Sequence, residues 1–226
     1  MVFNQDIVFI HIGKTGGMSC AHYLLQNLCP PVYNCHVEAD IEAARYGYRE
    51  SQVVPVLNVN RHCTLAAAEQ HILRLTGVST ADRRVLAVVR NPYDLEYSFY
   101  RHLQKDDVIE RRKKNDSELV ALAQGDFGAF VKHAGYHRPG LRQEDYFMMG
   151  GVVPPNVEII RFENLESAFR QAVQSCLRDG ACGEFRRLNT TAYSDSVDKH
   201  LDRETKATIY LKHKYIFDHY YPDETP

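Results

Sequence analysis

The sequence predicts an α/β protein: a parallel sheet of about four to five strands flanked by helices. Three observations predict it. Short apolar segments rich in β-branched residues alternate with helical segments four times along the chain. The composition, 44% hydrophobic and 25% charged over 226 residues, is that of an ordinary soluble globular chain of one-domain size. No repeat, low-complexity tract or linker-like segment interrupts the pattern, so residues 1–226 are expected to form a single domain.

The elements follow in order. Asp6–Ile12 is a short apolar run that ends at Gly13 and reads as a buried parallel strand. Gly16-Gly17 gives way to a helix over Met18–Leu28, stopped by Pro30-Pro31. Val32–Glu50, with three Tyr and mixed charge, reads as loop plus a short helix. Val53–Val59 is a second strand, and Pro55 puts it at a sheet edge or a bulge. Thr64–Leu75 is a helix capped by Thr64 and closed by Gly77. Val85–Val89 is a third strand, and Pro92 opens a helix that runs through Leu103. Lys105–Lys114 is strongly charged and reads as solvated; Glu118–Ala123 and Phe127–His133 are short helices split by Gly125. Gly135–Gly140 is a loop, Val157–Arg161 a fourth strand, Glu163–Leu177 a helix and Gly180–Thr191 a loop. One long helix over Arg203–Tyr220 ends the pattern.

Charge and cysteine content narrow the function. Lys and Arg number 27 against 29 Asp and Glu, a formal charge of −2, so bulk attraction to nucleic acid is not expected, while a local basic site for a small anion is compatible. No apolar run approaches the roughly 20 residues of a membrane span, and no signal pattern opens the chain. A chain that begins here is expected in the cytoplasm; one trimmed of an anchor would belong in the Golgi lumen. The six cysteines form no C-x-x-C pair. Cys29 with Cys35 and Cys176 with Cys182 could close small loops in an oxidising compartment, whereas a cytosolic setting favours thiols.

In a parallel sheet, ligands bind beyond the carboxyl ends of the strands, so the segments after each strand hold the chemistry. After the first comes His11-Ile12-Gly13-Lys14-Thr15-Gly16-Gly17-Met18-Ser19, a strand, a glycine-rich turn and a helix start. Backbone N–H groups and the helix dipole converge there, Lys14 adds a charge, and Thr15 and Ser19 add hydroxyls. The nucleotide-triphosphate loop G-x-x-x-x-G-K-[ST] is not met, because its first glycine falls on Val8. An ordinary turn with a solvated Lys14 is the alternative. After the third strand, Arg90-Asn91-Pro92-Tyr93-Asp94 leads to Ser98, and an Arg fork with a hydroxyl can hold one tetrahedral anion; a structural ion pair is the alternative for Arg90. After the second strand, Asn60-Arg61-His62-Cys63-Thr64 puts His62 at the same sheet edge, where a neutral imidazole can accept a proton from a hydroxyl; a capping or surface role is the alternative.

Together these segments resemble the sulfotransferases that use 3′-phosphoadenosine 5′-phosphosulfate (PAPS), especially the carbohydrate-type and bacterial branch. Lys14–Ser19 looks like the family's K-T-G-G-[TS]-S loop, with Met18 where Thr or Ser is usual. Arg90–Asp94 with Ser98 looks like its R-N-P-[YW]-D segment, and Arg61–Ala66 like a loose form of its [KR]-H-x-[ST]-A stretch. Gln143–Tyr146, Arg161–Leu165, Leu188–Thr191 and Tyr215–Tyr221 resemble later motifs, so the likeness runs from about residue 5 to 221.

The resemblance implies a P-loop-kinase-like sulfotransferase fold and sulfuryl transfer by in-line displacement, without a metal. It implies that Lys14 stabilises the transferring group, that Thr15, Gly16, Gly17, Met18 and Ser19 hold the 5′-phosphate largely by backbone, and that Arg90 and Ser98 hold the 3′-phosphate. His62 would be the general base, with His11 next in line. The acceptor would carry a hydroxyl, on a sugar or a small molecule. The six Lys and Arg against three acidic residues in Arg101–Lys114 suit either a solvated helix face or an acidic acceptor. Two other readings compete: a small nucleotide kinase, which would need the full phosphate loop and a Mg²⁺-holding Asp, and a binding module of the same fold that has lost turnover.

Overall fold

The computed structural model describes residues 1–35, 53–57, 59–134, 136, 142–181, 184–188, 196–224 and 226. In chain order the strands and helices are β1 (Val2–Phe3), β2 (Ile7–Ile10), α1 (Gly17–Asn27), β3 (Val32–Cys35), β4 (Val53–Val56), α2 (Leu65–Thr76), β5 (Arg84–Val89) and α3 (Pro92–Leu103). They continue with α4 (Asp106–Arg112), α5 (Ser117–Ala123), α6 (Phe127–His133), β6 (Val157–Arg161), α7 (Leu165–Val173), α8 (Arg203–Lys212) and α9 (Lys214–Tyr220). They fall into two compact units, Met1–Val89 with Asp145–Thr190 and Arg90–Glu144 with Thr191–Pro226.

The first unit holds a six-stranded sheet in the order β4-β3-β1-β2-β5-β6. The pairs β2–β5, β5–β6 and β3–β4 are parallel; β1 is antiparallel to both neighbours. The α/β class and the mainly parallel sheet are as the sequence predicts. The pleat sorts the strand residues: Ile7, Phe9, Leu86, Val88 and Ile160 join one core, and the alternate residues Val8, Ile10, Val85, Ala87 and Val89 are fully buried on the opposite face. A sheet covered on both faces explains why β2 and β5 are apolar at nearly every position. On the first face, Tyr23 of α1, Phe9 and Phe185 meet Phe169 of α7 edge to face, and Tyr23 and Phe185 lie tilted against each other. Pro55 lies in β4, which is an edge strand, where a missing N–H costs no ladder bond.

Two strands were not legible. β1 has only two residues, too few for any periodicity; Asn4 makes its hairpin by accepting from the N–H groups of Asp6 and Ile7. β3, inside the segment expected to be loop and short helix, owes its strand to pairing with β1 and β4 rather than to its own Val-Tyr-Asn-Cys composition. The remainder of that segment, 36–50, lies outside the described residues, as do most of the 135–140 loop and 189–191. The helix expected over Glu163–Leu177 is α7 with a short 3₁₀ turn at each end. The described cysteines Cys20, Cys29, Cys35, Cys63 and Cys176 are thiols. Burial pushes the Cys35 thiol up to about 12.

The second unit is helical. Tyr97, Phe99 and Tyr100 of α3 pack on Phe127 and Phe130 of α6. The expected C-terminal helix is broken into α8 and α9 at His213. The cause is buried: the His213 imidazole, fully enclosed, meets the Glu96 carboxylate of α3 at 2.7 Å, and the second carboxylate oxygen accepts the Tyr136 N–H at 2.6 Å. A carboxylate sealed away from water must be fully hydrogen-bonded, and turning His213 inward to meet it interrupts the helix. The charged stretch holds the short helix α4, with the i,i+4 pairs Arg111–Asp107, exposed, and Arg112–Asp116, half-buried, so part of its positive charge is answered locally. No described helix is long and apolar enough to cross a membrane.

Candidate functional site

Two candidate centres emerge, one on each unit. In the first, the chain leaves β2 at Ile10 and turns through Lys14 and Gly16, both in the left-handed region at φ 65° and φ 78°. Lys14 is the one described non-glycine residue with positive φ, a conformation that costs about 1–2 kcal/mol for a residue with a Cβ. α1 then starts at Gly17 with no side-chain cap and no acidic residue in its first turn. Its leading amides face outward along the axis, and the helix dipole adds a partial positive charge at the same point.

Neighbouring segments fix the turn. A Cβ at Gly16 would meet Leu165 Cδ2 at 2.6 Å and Phe162 Cε2 at 3.0 Å. The Phe162–Leu165 stretch after β6 therefore buttresses the turn, and a side chain at position 16 would be both crowded and strained at φ 78°. A Cβ at Gly17 would fall inside the His11 imidazole. Thr15 is buried, and its hydroxyl donates to the Ile12 carbonyl at 3.0 Å, so this side chain closes the turn and leaves the backbone to face a ligand. Ser19, also buried, accepts the Leu188 N–H at 2.9 Å and keeps its own proton to donate.

The loop after β4 comes to the same place. Asn60 accepts the His62 N–H at 2.8 Å and its carbonyl accepts the Cys63 N–H at 3.2 Å, making a tight turn before the Thr64 cap of α2. The His62 Nδ1 lies 2.8 Å from the His11 carbonyl oxygen, and the two rings meet edge to face at 4.6 Å. A carbonyl can only accept, so Nδ1 carries the proton in the neutral ring and Nε2 keeps a lone pair. Beside it, Arg61 Nη1 donates to Met18 Sδ at 3.1 Å. The methionine that stands where a hydroxyl was expected thus docks a guanidinium onto the first turn of α1.

The second centre starts where β5 ends. Arg90 is half-buried, Asn91 caps α3 by accepting the Tyr93 N–H at 2.9 Å, and Pro92 opens the helix. Ser98, nearly fully buried, shares a flank of α3 with Asn91 and Asp94. Gln143 holds the Arg90 backbone from both sides, accepting its N–H at 2.8 Å and donating to its carbonyl at 3.0 Å. A hollow of about 300 Å³ adjoins the start of α3, lined by Asn91, Tyr93, Asp94, Tyr97, Asp198 and Glu224 among others. Its three carboxylates make it hostile to a phosphate.

No family model and no curated protein matches the sequence. One solved structure is similar to it. The sulfotransferase from Alicyclobacillus acidocaldarius is 14% identical, with a TM-score of 0.43, over 94% of this chain and 92% of that one. A likeness that remote carries no argument about chemistry, which rests on the residues themselves.

Lys14, Thr15, Gly16, Gly17, Met18, Ser19 and His62, singled out in the sequence, all lie on the first unit, and His11 joins the turn to His62 through its ring and its carbonyl. Arg90 and Ser98 lie on the second. Sequence reading did not find the roles of Phe162, Leu165 and Gln143. Each stood in a segment noted for its resemblance, but what they touch is set by folding.

Proposed function

We propose that this protein is a sulfotransferase that moves the sulfuryl group of PAPS to the hydroxyl of an acceptor, a sugar or a small molecule. The observation that carries the reading is the pairing of a lysine-bearing anion turn with an imidazole whose tautomer is fixed for proton acceptance. The acceptor oxygen attacks sulfur as the bond from sulfur to the 5′-phosphate oxygen breaks, and the acceptor proton passes to His62 Nε2. Lys14 offsets the negative charge that grows on the bridging oxygen, and the first-turn amides of α1 hold the phosphate already there. Arg90 and Ser98 hold the 3′-phosphate, which separates this donor from other adenine nucleotides. Positioning and charge stabilisation supply the catalysis, as in phosphoryl transfer.

The test is an acceptor-library screen with ³⁵S-labelled donor, joined to calorimetric titration with adenosine 3′,5′-bisphosphate. Tight binding with sulfation of at least one hydroxyl class is expected. Absence of nucleotide binding sinks the proposal; binding without any sulfation favours the module that has lost turnover; a strict Mg²⁺ requirement favours the kinase. Arg90→Ala is expected to weaken the bisphosphate by about 50-fold, the worth of charge-assisted hydrogen bonds, with kcat at saturating donor little changed. His62→Ala is expected to lower kcat by about 10²–10⁴-fold and to remove the acidic limb of the pH–rate profile. An intact rate in that variant would dismiss His62 as the base.

A further inference from the structure

We infer that Gln143 is a positioning residue for Arg90, and through it sets the preference for a nucleotide phosphorylated on the ribose 3′ oxygen; this role rests on the donor reading above. The ladder between β5 and β6 ends at the Val89–Arg161 pair, so the Arg90 peptide lies one step beyond the sheet. A half-buried peptide just past a strand end must still satisfy both its N–H and its C=O. The Gln143 amide does this for Arg90, accepting from Arg90 N–H at 2.8 Å and donating to Arg90 C=O at 3.0 Å. Gln143 itself has no exposed surface, so its rotamer is set by packing and the clamp is rigid. The primary amide suits this task because it offers a donor and an acceptor in the plane of one group, as a peptide does. The Arg90 main chain is thereby held at the start of α3, and its side chain departs from a fixed Cα toward whatever anion it binds. The neighbouring carboxylate-lined hollow makes that constraint matter, because a loosened Arg90 has acidic side chains within its own unit to turn to.

The experiment compares affinities for adenosine 3′,5′-bisphosphate and adenosine 5′-monophosphate in four proteins: wild type, Gln143→Met, Arg90→Ala and the double variant. Methionine keeps the volume and the apolar stem and removes both hydrogen bonds. Gln143→Met is expected to lower the bisphosphate-to-monophosphate preference by about tenfold while leaving monophosphate affinity unchanged. In the Arg90→Ala background the same substitution is expected to change the preference by less than about twofold, because a residue that acts through Arg90 has nothing left to position. Should Gln143→Met fail to fold, Gln143→Glu, which retains the acceptor for Arg90 N–H, takes its place in the same cycle. An unchanged preference, or an equal loss with and without Arg90, overturns the role. A wild-type protein that binds neither nucleotide, or both alike, overturns the donor reading instead, and the positioning role with it.

Discussion

Replacing Lys14 by Ala is expected to lower kcat by about 10³-fold, with a smaller effect on nucleotide affinity. The lysine acts on charge that appears only as the leaving-group bond breaks, so its loss falls on the transition state rather than on the ground state. Its backbone makes the test sharper. Lys14 sits at φ 65°, where a Cβ is strained and glycine is not. Lys14→Gly is therefore expected to lower kcat as far as Lys14→Ala does and yet to stabilise the fold by about 1 kcal/mol, a rise in Tm of roughly 2–4 °C for a chain of this length. Initial rates with labelled donor and scanning calorimetry on both variants decide it. A glycine variant that keeps its activity would remove Lys14 from the chemistry. One that melts earlier than wild type would show that the strained turn is stabilised by contacts of the lysine side chain.

Gly17→Ala is expected to damage the fold and the site together. The new methyl group would lie within the His11 ring, and since the ring is buried at the sheet edge it cannot swing into solvent freely. Overpacking of this kind costs about 1–3 kcal/mol. The displaced ring also moves the strand end whose carbonyl holds His62 Nδ1, so kcat is expected to fall by about 10²-fold even in molecules that remain folded. His11→Ala opens the space. The double variant His11→Ala/Gly17→Ala is expected to be more stable than the sum of the single changes by about 1 kcal/mol or more, read by denaturant unfolding. Strict additivity would mean that the clash is relieved elsewhere and that His11 does not link the turn to the base.

The path from sequence to site was uneven for physical reasons. β2 and β5 were legible because a strand buried on both faces must be apolar throughout. α3 was legible because Pro92 sits where a helix begins, its fixed φ suiting the first turn. The Lys14 turn was legible because glycines and a lysine at a strand end have few other uses. β3 and the break at His213 were not, since one depends on strands distant in sequence and the other on a carboxylate 117 residues away. Met18 was read as the loss of a hydroxyl; its sulfur turned out to receive Arg61, a contact across 43 residues that no local pattern announces.

The sequence by itself determined the α/β class, most elements and the short list of residues able to handle an anion and a proton, because these depend on side-chain chemistry and local backbone preference. Tertiary structure alone decided that Phe162 and Leu165 confine Gly16, that the His11 carbonyl selects the His62 tautomer and that Gln143 clamps the Arg90 backbone. Those are contacts between segments far apart along the chain, and hydrogen-bond direction and steric exclusion exist only once the segments meet.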